Sequence, residues 1–300
     1  MRILVTGAAG LLAGALRQQA PEGMELVCVG HGEFDLTQPS LMAQRLADLR
    51  PDVVINTAAY NAVDKCEVER DLSWAVNATG PLRLGELCAE RGIRLVHFGT
   101  DYIFDGAQTI PYTEADVPNP INHYAAGKLA GERAVLAASP HHLVLRPSWI
   151  FGQHATQPRT YVHAILRQAI AGNQIRATTD QASVPTYAPD LARWIFALVG
   201  RGANGLFHAV NDEGLSRFGW TKVIVAEALD AGIITKPAEV WPVTTAFFNP
   251  NIRRSPYNVL SNHKLTTFLG EQPGSWRRGL REMLRQPPWQ SHTARRDDDD

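Results

Sequence analysis

Apolar residues in the first half of the chain come in short continuous runs separated by longer amphipathic stretches. "RILVTG", "ELVCVG", "DVVINTA" and "IRLVHFGT" are such runs, and helix-like patterning begins near Leu11, Ser40 and Ser73 between them. Short runs that are apolar throughout, instead of at alternate positions, fit strands buried on both faces, and their alternation with helices predicts a parallel sheet covered on both sides. "YAAGKLAGERAVLAA" predicts a further helix, and "HLVLRPSWIFG" a further buried strand ending in a loop. Beyond these, "YVHAILRQAIAG" is apolar at helical spacing, "DQASVPTYAPDLARWIFALVG" reads as loop then helix, and "GLFHAVND" as a strand. No internal repeat is present.

Composition narrows the function classes. A chain of 300 residues that is 45% hydrophobic can bury a full core. Its formal net charge of −1 lacks the electrostatic footprint of a protein whose main partner is nucleic acid or an anionic membrane. Cys28, Cys66 and Cys88 are few, odd in number and without CxxC spacing, so neither a disulfide framework nor a zinc site is indicated. The apolar stretch before Gly7 is too short for a signal-peptide core, and no run approaches the length of a membrane span. A cytoplasmic location is expected. The terminal "TARRDDDD" carries like charges without hydrophobes, so residues 291–300 are expected to be a disordered tail.

Candidate chemistry starts directly after the first strand. In "TGAAGLLAGAL", Gly7 and Gly10 have the spacing of a turn that brings backbone N–H groups against a pyrophosphate at the positive end of a helix. Ala13 takes the third position, which serves helix-to-strand packing. Such a turn at the start of a βαβ series predicts a Rossmann dinucleotide site. Glu33 and Asp35 follow the second strand as candidates for ribose or adenine contacts, with a solvated loop position the other reading for Glu33. No residue there decides between NADH and NADPH.

Tyr124 and Lys128 stand four apart on a predicted helix, which puts both side chains on one face. An ammonium ~4 Å from a phenol, at an effective dielectric of ~20, is worth up to about 4 kcal/mol, or about three pKa units. On this reading Lys128 lowers the proton affinity of Tyr124 and prepares it to protonate a carbonyl oxygen receiving a hydride. Thr100, in "HFGTDYIFDG" at a strand end, can supply a hydroxyl that polarises the same carbonyl.

With the glycine turn, Thr100 and the Tyr124–Lys128 pair in this order, the chain resembles the extended short-chain dehydrogenase/reductases. The resemblance is narrowest to members that reduce the C4 ketone of a nucleotide-linked 6-deoxysugar. It covers nearly the whole chain and rests on "NTAAYNAVDKCE", "AVNATGPLRLGELC", "TDYIFDG", "YAAGK", "RPSWIFG", "DQASVPTYAPDLA" and "VLSNHKL". It implies that Gly7, Gly10, Leu11 and Leu12 line the pyrophosphate, Asp35 and Leu36 the adenine, and Ala58, Ala59 and Tyr60 the nicotinamide half, with Tyr124 and Lys128 also touching the cofactor. It implies a substrate site of Val63, Thr100, Asp101, Tyr102 and Trp149, with Arg254 on the nucleotide diphosphate.

Three departures from the family pattern stand out: Leu11 in place of a polar residue, Asn61 in place of a small hydroxyl residue, and "RRSPYNVL" in place of an arginine-proline order at Arg254. The resemblance also brings magnesium, for which the sequence offers no readable site. The expected architecture is a dinucleotide-binding unit of residues 1–147 plus about 177–202, and a smaller α/β sugar-nucleotide unit of about 148–176 plus 203–290. The partner is a nucleotide sugar and the assembly a monomer or homodimer. Two other functions fit the same motifs: a reductase or epimerase of another nucleotide-linked deoxysugar, and a cofactor-binding regulatory subunit without turnover.

Overall fold

A computed structural model describes residues 1–153, 160–249 and 252–289, so the charged terminal tail lies outside the described residues. The strands are β1 (Arg2–Thr6), β2 (Glu25–Val29), β3 (Val53–Asn56), β4 (Arg94–Phe98), β5 (Leu143–Arg146), β6 (Ile150–Phe151), β7 (Ile175–Thr178), β8 (Ala182–Ser183), β9 (Thr186–Tyr187), β10 (Gly205–His208), β11 (Leu215–Ser216) and β12 (Val240–Val243). The helices are α1 (Leu11–Gln19), α2 (Pro39–Leu49), α3 (Val63–Cys66), α4 (Arg70–Trp74), α5 (Gly80–Glu90), α6 (His123–Ala138), α7 (Tyr161–Ile170), α8 (Ala188–Gly200), α9 (Arg217–Asp230), α10 (Thr245–Phe248), α11 (His263–Leu269) and α12 (Trp276–Leu284), with a π-helical turn at Ala75–Thr79.

Six strands form one parallel sheet in the order β10-β5-β4-β3-β1-β2. The chain runs outward from β1 to β2, then returns to place β3 on the other side of β1. That reversal opens a crevice at the carboxyl ends of β1 and β3, where ligands bind in sheets of this kind. One face is packed by α1, α8 and α11 through Leu12, Leu16, Leu191, Ile195 and Leu265, and the other through Met42, Leu46, Leu84, Cys88 and Val135. The apolar strand runs follow from this double cover, since both faces of β1, β3 and β5 are buried.

A second core joins α7, α9 and α12 around Trp220, Trp276, Leu166 and Met283. The boundary at residue 203 needs correction. "GLFHAVND" forms β10, which pairs with β5 through four residues and completes the main sheet, and α11 from the same half packs on it. The edge of β5 needs a partner for its backbone groups, and pairing between segments this far apart leaves no local mark on the sequence.

Candidate active site

The glycine turn is built for close approach. Gly7 has φ +70°, and a Cβ there would meet Thr57 Oγ1 at 2.9 Å and the Ala58 nitrogen at 3.1 Å. Gly10 N–H donates to the Gly7 carbonyl at 2.8 Å, and Gly10 then leads into α1 without any side-chain cap. The first amides of α1 are therefore available to an anion. Ala13 is fully buried against the sheet. A turn that only glycine can adopt, an uncapped helix start and an adjoining cleft of about 420 Å³ together fit a dinucleotide phosphate.

That cleft is lined by Gly10, Leu11, Leu12, Ala58, Ala59, Asn61, Val63, Thr100, Asp101, Tyr102, Tyr124, Lys128 and Trp149. Candidates more than a hundred residues apart in the sequence thus share one surface. Gly7 lies beneath it in the turn. Asp35, Leu36, Tyr60 and Arg254 do not line this cleft. Leu36 is buried against the site of Gly80. The Asp35 carboxylate turns into its own loop, accepting from Thr37 N–H and Oγ1 at 2.8 Å each and from Gln38 Nε2 at 3.0 Å. Burial alone would raise its pKa, but these bonds outweigh burial and hold it below the ordinary carboxylate value. Glu33 accepts from Gly30 N–H at 3.2 Å and lies 3.7 Å from Arg45. Arg254 donates to Asp64.

Local capping places the reacting groups. Thr100 lies two residues past β4 and its Oγ1 accepts from Tyr102 N–H at 3.3 Å, starting a tight turn that brings Asp101 and Tyr102 to the cleft. Asn122 Oδ1 accepts from Ala125 N–H at 2.8 Å and caps α6, so Tyr124 lies in the first turn and Lys128 one turn on. Both are buried, and the Tyr102 and Tyr124 rings meet edge to face at 5.8 Å.

Burial dominates the electrostatics of the cleft. Burial pushes the Tyr124 phenol well above its ordinary pKa; the hydrogen bond from Thr100 opposes this, while Asp101 and Tyr102 add to it. The Lys128 pKa falls to about 8 through burial, resisted by Glu132 one turn further along α6. Burial disfavours the phenolate, so the Tyr124 phenol holds its proton. Burial also raises Asp101 to about 6, against hydrogen bonds from Ser183 (2.7 Å) and Thr100 (3.2 Å) and the charge of Arg217. Thr100 has one hydroxyl proton and two acceptors, Asp101 and Tyr124.

Four supporting residues escaped the sequence reading. Asn56 accepts from Thr6 Oγ1 at 2.6 Å and reaches His97 Nδ1 at 3.1 Å, forming the cleft floor. Asn77, in the π-helical turn, accepts from Tyr60 N–H and donates to the Tyr60 carbonyl, both at 2.9 Å, and so fixes the loop beside Ala58 and Ala59. Glu132 is paired with Arg146 at 2.5 and 2.9 Å in the interior. Arg217 comes from the second half of the chain and reaches Tyr102 and Asp101. Asn56 and Asn77 sat inside motifs that carry the resemblance, but nothing local marked their contacts. Among the described residues, no three His, Cys, Asp or Glu side chains are grouped to hold a metal ion.

Comparison with known proteins places this geometry. The family model described as "RmlD substrate binding domain" matches residues 1–287. A dTDP-4-dehydrorhamnose reductase of Mycobacterium tuberculosis is 37% identical over 293 residues, 95% of this chain and 93% of that protein. A probable dTDP-4,6-dihydroxy-2-methyloxan-3-one 4-ketoreductase of Streptomyces antibioticus is also 37% identical, over 95% of each. The crystal structure of a dTDP-4-dehydrorhamnose reductase from Bacillus anthracis in complex with NADP superposes with a TM-score of 0.87 at 30% identity, covering 94% of this chain and 98% of that one.

Proposed function

Because this chain belongs to the RmlD substrate-binding-domain family, we propose that it reduces the C4 ketone of dTDP-4-dehydro-6-deoxy-L-mannose to dTDP-L-rhamnose with NADPH or NADH. The observation that carries this reading is the meeting of Thr100, Tyr124 and Lys128 in one cleft with the glycine turn. The nicotinamide cofactor, when bound, supplies the hydride. Tyr124, kept protonated by burial, gives its proton to the ketone oxygen. Thr100 directs its hydroxyl at the same oxygen, while its own oxygen is held by Tyr102 N–H. Lys128 holds the nicotinamide ribose by its ammonium group. Gly7 and Gly10 bring the start of α1 to the pyrophosphate, and Val63 and Trp149 face the sugar.

The test is a screen of dTDP-linked ketosugars against both reduced cofactors, with the product identified by NMR. Purified protein that binds the ketosugar but consumes neither NADPH nor NADH overturns the reading. Tyr124→Phe should lower turnover by about 10²- to 10⁴-fold, the range for a lost general acid, while cofactor affinity stays close to that of the unaltered protein. Equal turnover in the two proteins refutes the proton role.

A second reading, a ketoreductase of another dTDP-linked deoxysugar, is favoured by the match to the Streptomyces antibioticus protein at the same identity. The NMR product separates the two.

A further inference from the structure

A buried ion pair is a poor way to hold a fold together, since apolar residues of similar volume often serve as well or better. Helix α6 nevertheless carries one. Glu132 lies one turn beyond Lys128 on the same face of the helix, and the two are 2% and 3% exposed. Both oxygens of Glu132 are taken by Arg146 of β5, Oε2 accepting from Nε at 2.9 Å and Oε1 from Nη2 at 2.5 Å. The remaining corner of the guanidinium is held as well. His208 gives its Nδ1 proton to the Tyr112 carbonyl at 3.1 Å, which leaves Nε2 to accept from Arg146 Nη1 at 3.2 Å. The fork of Arg146 therefore fixes where the Glu132 carboxylate stands.

That place is directly behind the cleft wall. Gly99 lines the cleft just before Thr100, and a Cβ there would run into Glu132 Oε2 and come within 3.0 Å of Arg146 Cγ. The missing side chain at position 99 is what lets this carboxylate come up beneath the cofactor site.

The other groups around Lys128 do not supply a negative charge to it. Tyr124, one turn earlier on α6, keeps its proton. On β3, Asn56 uses its oxygen for Thr6 and so donates to Nδ1 of His97 on β4, which puts the His97 proton on Nε2. This buried ring is neutral and offers Lys128 no acceptor; burial, and after it the charge of Lys128, hold its pKa well down. Asp101 spends its carboxylate on Ser183 and Thr100. Burial strips the Lys128 ammonium of hydration, and the charge opposing this is that of Glu132.

We propose that Glu132 is the positioning residue that keeps Lys128 an ammonium inside the cleft, ready for the nicotinamide ribose, and that Arg146 fixes the carboxylate for this role. The inference rests on the reading of Lys128 as the ribose-binding group of a nicotinamide-dependent reductase.

Full-length protein is titrated with NADH or NADPH, whichever it binds more tightly, from pH 6 to 9.5 by quenching of tryptophan fluorescence. Glu132→Gln, the double variant Glu132→Gln/Arg146→Met and Lys128→Met are titrated alongside. Affinity of the unaltered protein should fall as pH rises through about 8, and Lys128→Met should bind weakly without that fall. In Glu132→Gln the fall should come at least about one pH unit lower, the shift expected on removing a nearby opposite charge, while affinity at pH 6 stays within about twofold. The double variant leaves no charge of the pair buried alone, serves if the glutamine variant fails to fold, and should show the same displacement. An unchanged midpoint in the folded variants, or an equal loss of affinity at every pH, overturns the role of Glu132. So does a fall near pH 8 that survives in Lys128→Met. Absence of binding of either cofactor by the unaltered protein overturns the dinucleotide reading, and this inference with it. A displaced midpoint in a protein that turns over no ketosugar supports the inference and overturns the substrate reading alone.

Discussion

At neutral pH the Tyr124 phenol keeps its proton because burial raises its pKa, and two neighbours titrate around that pH: Lys128 near 8 and Asp101 near 6. Their signs set the profile of kcat/KM in the free enzyme. Lys128 must carry its proton to bind the ribose, so the rate falls as pH rises through about 8. Asp101 must be ionised to accept from Ser183 and so hold the turn that carries Thr100 and Tyr102 in the cleft, which makes the rate fall as pH drops through about 6. A bell-shaped profile with these limbs is expected, and Asp101→Asn should remove the acid limb. An acid limb unchanged in that variant contradicts the role given to Asp101. The Tyr–Lys spacing was readable because helical geometry is local. The state of the phenol was not, because solvation depends on everything that covers it.

Helix α6 carries the proton donor, and its approach to the rest of the fold depends on a glycine. A Cβ at Gly131 would run into the backbone carbonyl of Asn77, well inside van der Waals contact. Glycine to alanine inside a helix ordinarily stabilises by about 1 kcal/mol. Here overpacking, typically about 1–3 kcal/mol, opposes that gain and should exceed it. Gly131→Ala is therefore expected to lower the urea midpoint. It should also weaken cofactor binding, since the displaced Asn77 holds both backbone groups of Tyr60. A raised midpoint would show that the two elements separate without cost. "LAGERAV" reads as an ordinary helix, and only its partner across the interface reveals why position 131 has no side chain.

The molecule as a whole is threaded back and forth between its two cores. The chain leaves the main sheet after β5, returns for α8 and β10, leaves again for β11 and α9, and returns for α11. A fragment of residues 1–202 thus lacks the strand that covers the edge of β5 and the helix that contributes Leu265 and Leu269. It should show no cooperative unfolding transition, whereas residues 1–289 should unfold as the complete chain does. Cooperative unfolding of the shorter fragment by circular dichroism would refute this. The sequence alone determined the parallel sheet, the phosphate turn and the register of Tyr124 with Lys128, because strand burial, glycine backbone freedom and helical spacing act over a few neighbouring residues. Only the tertiary structure decided that Arg217 meets Trp149 and Tyr102 behind the cleft wall, that β10 belongs to the main sheet and that Tyr124 holds its proton. Each of these depends on contacts between distant segments and on the water they exclude.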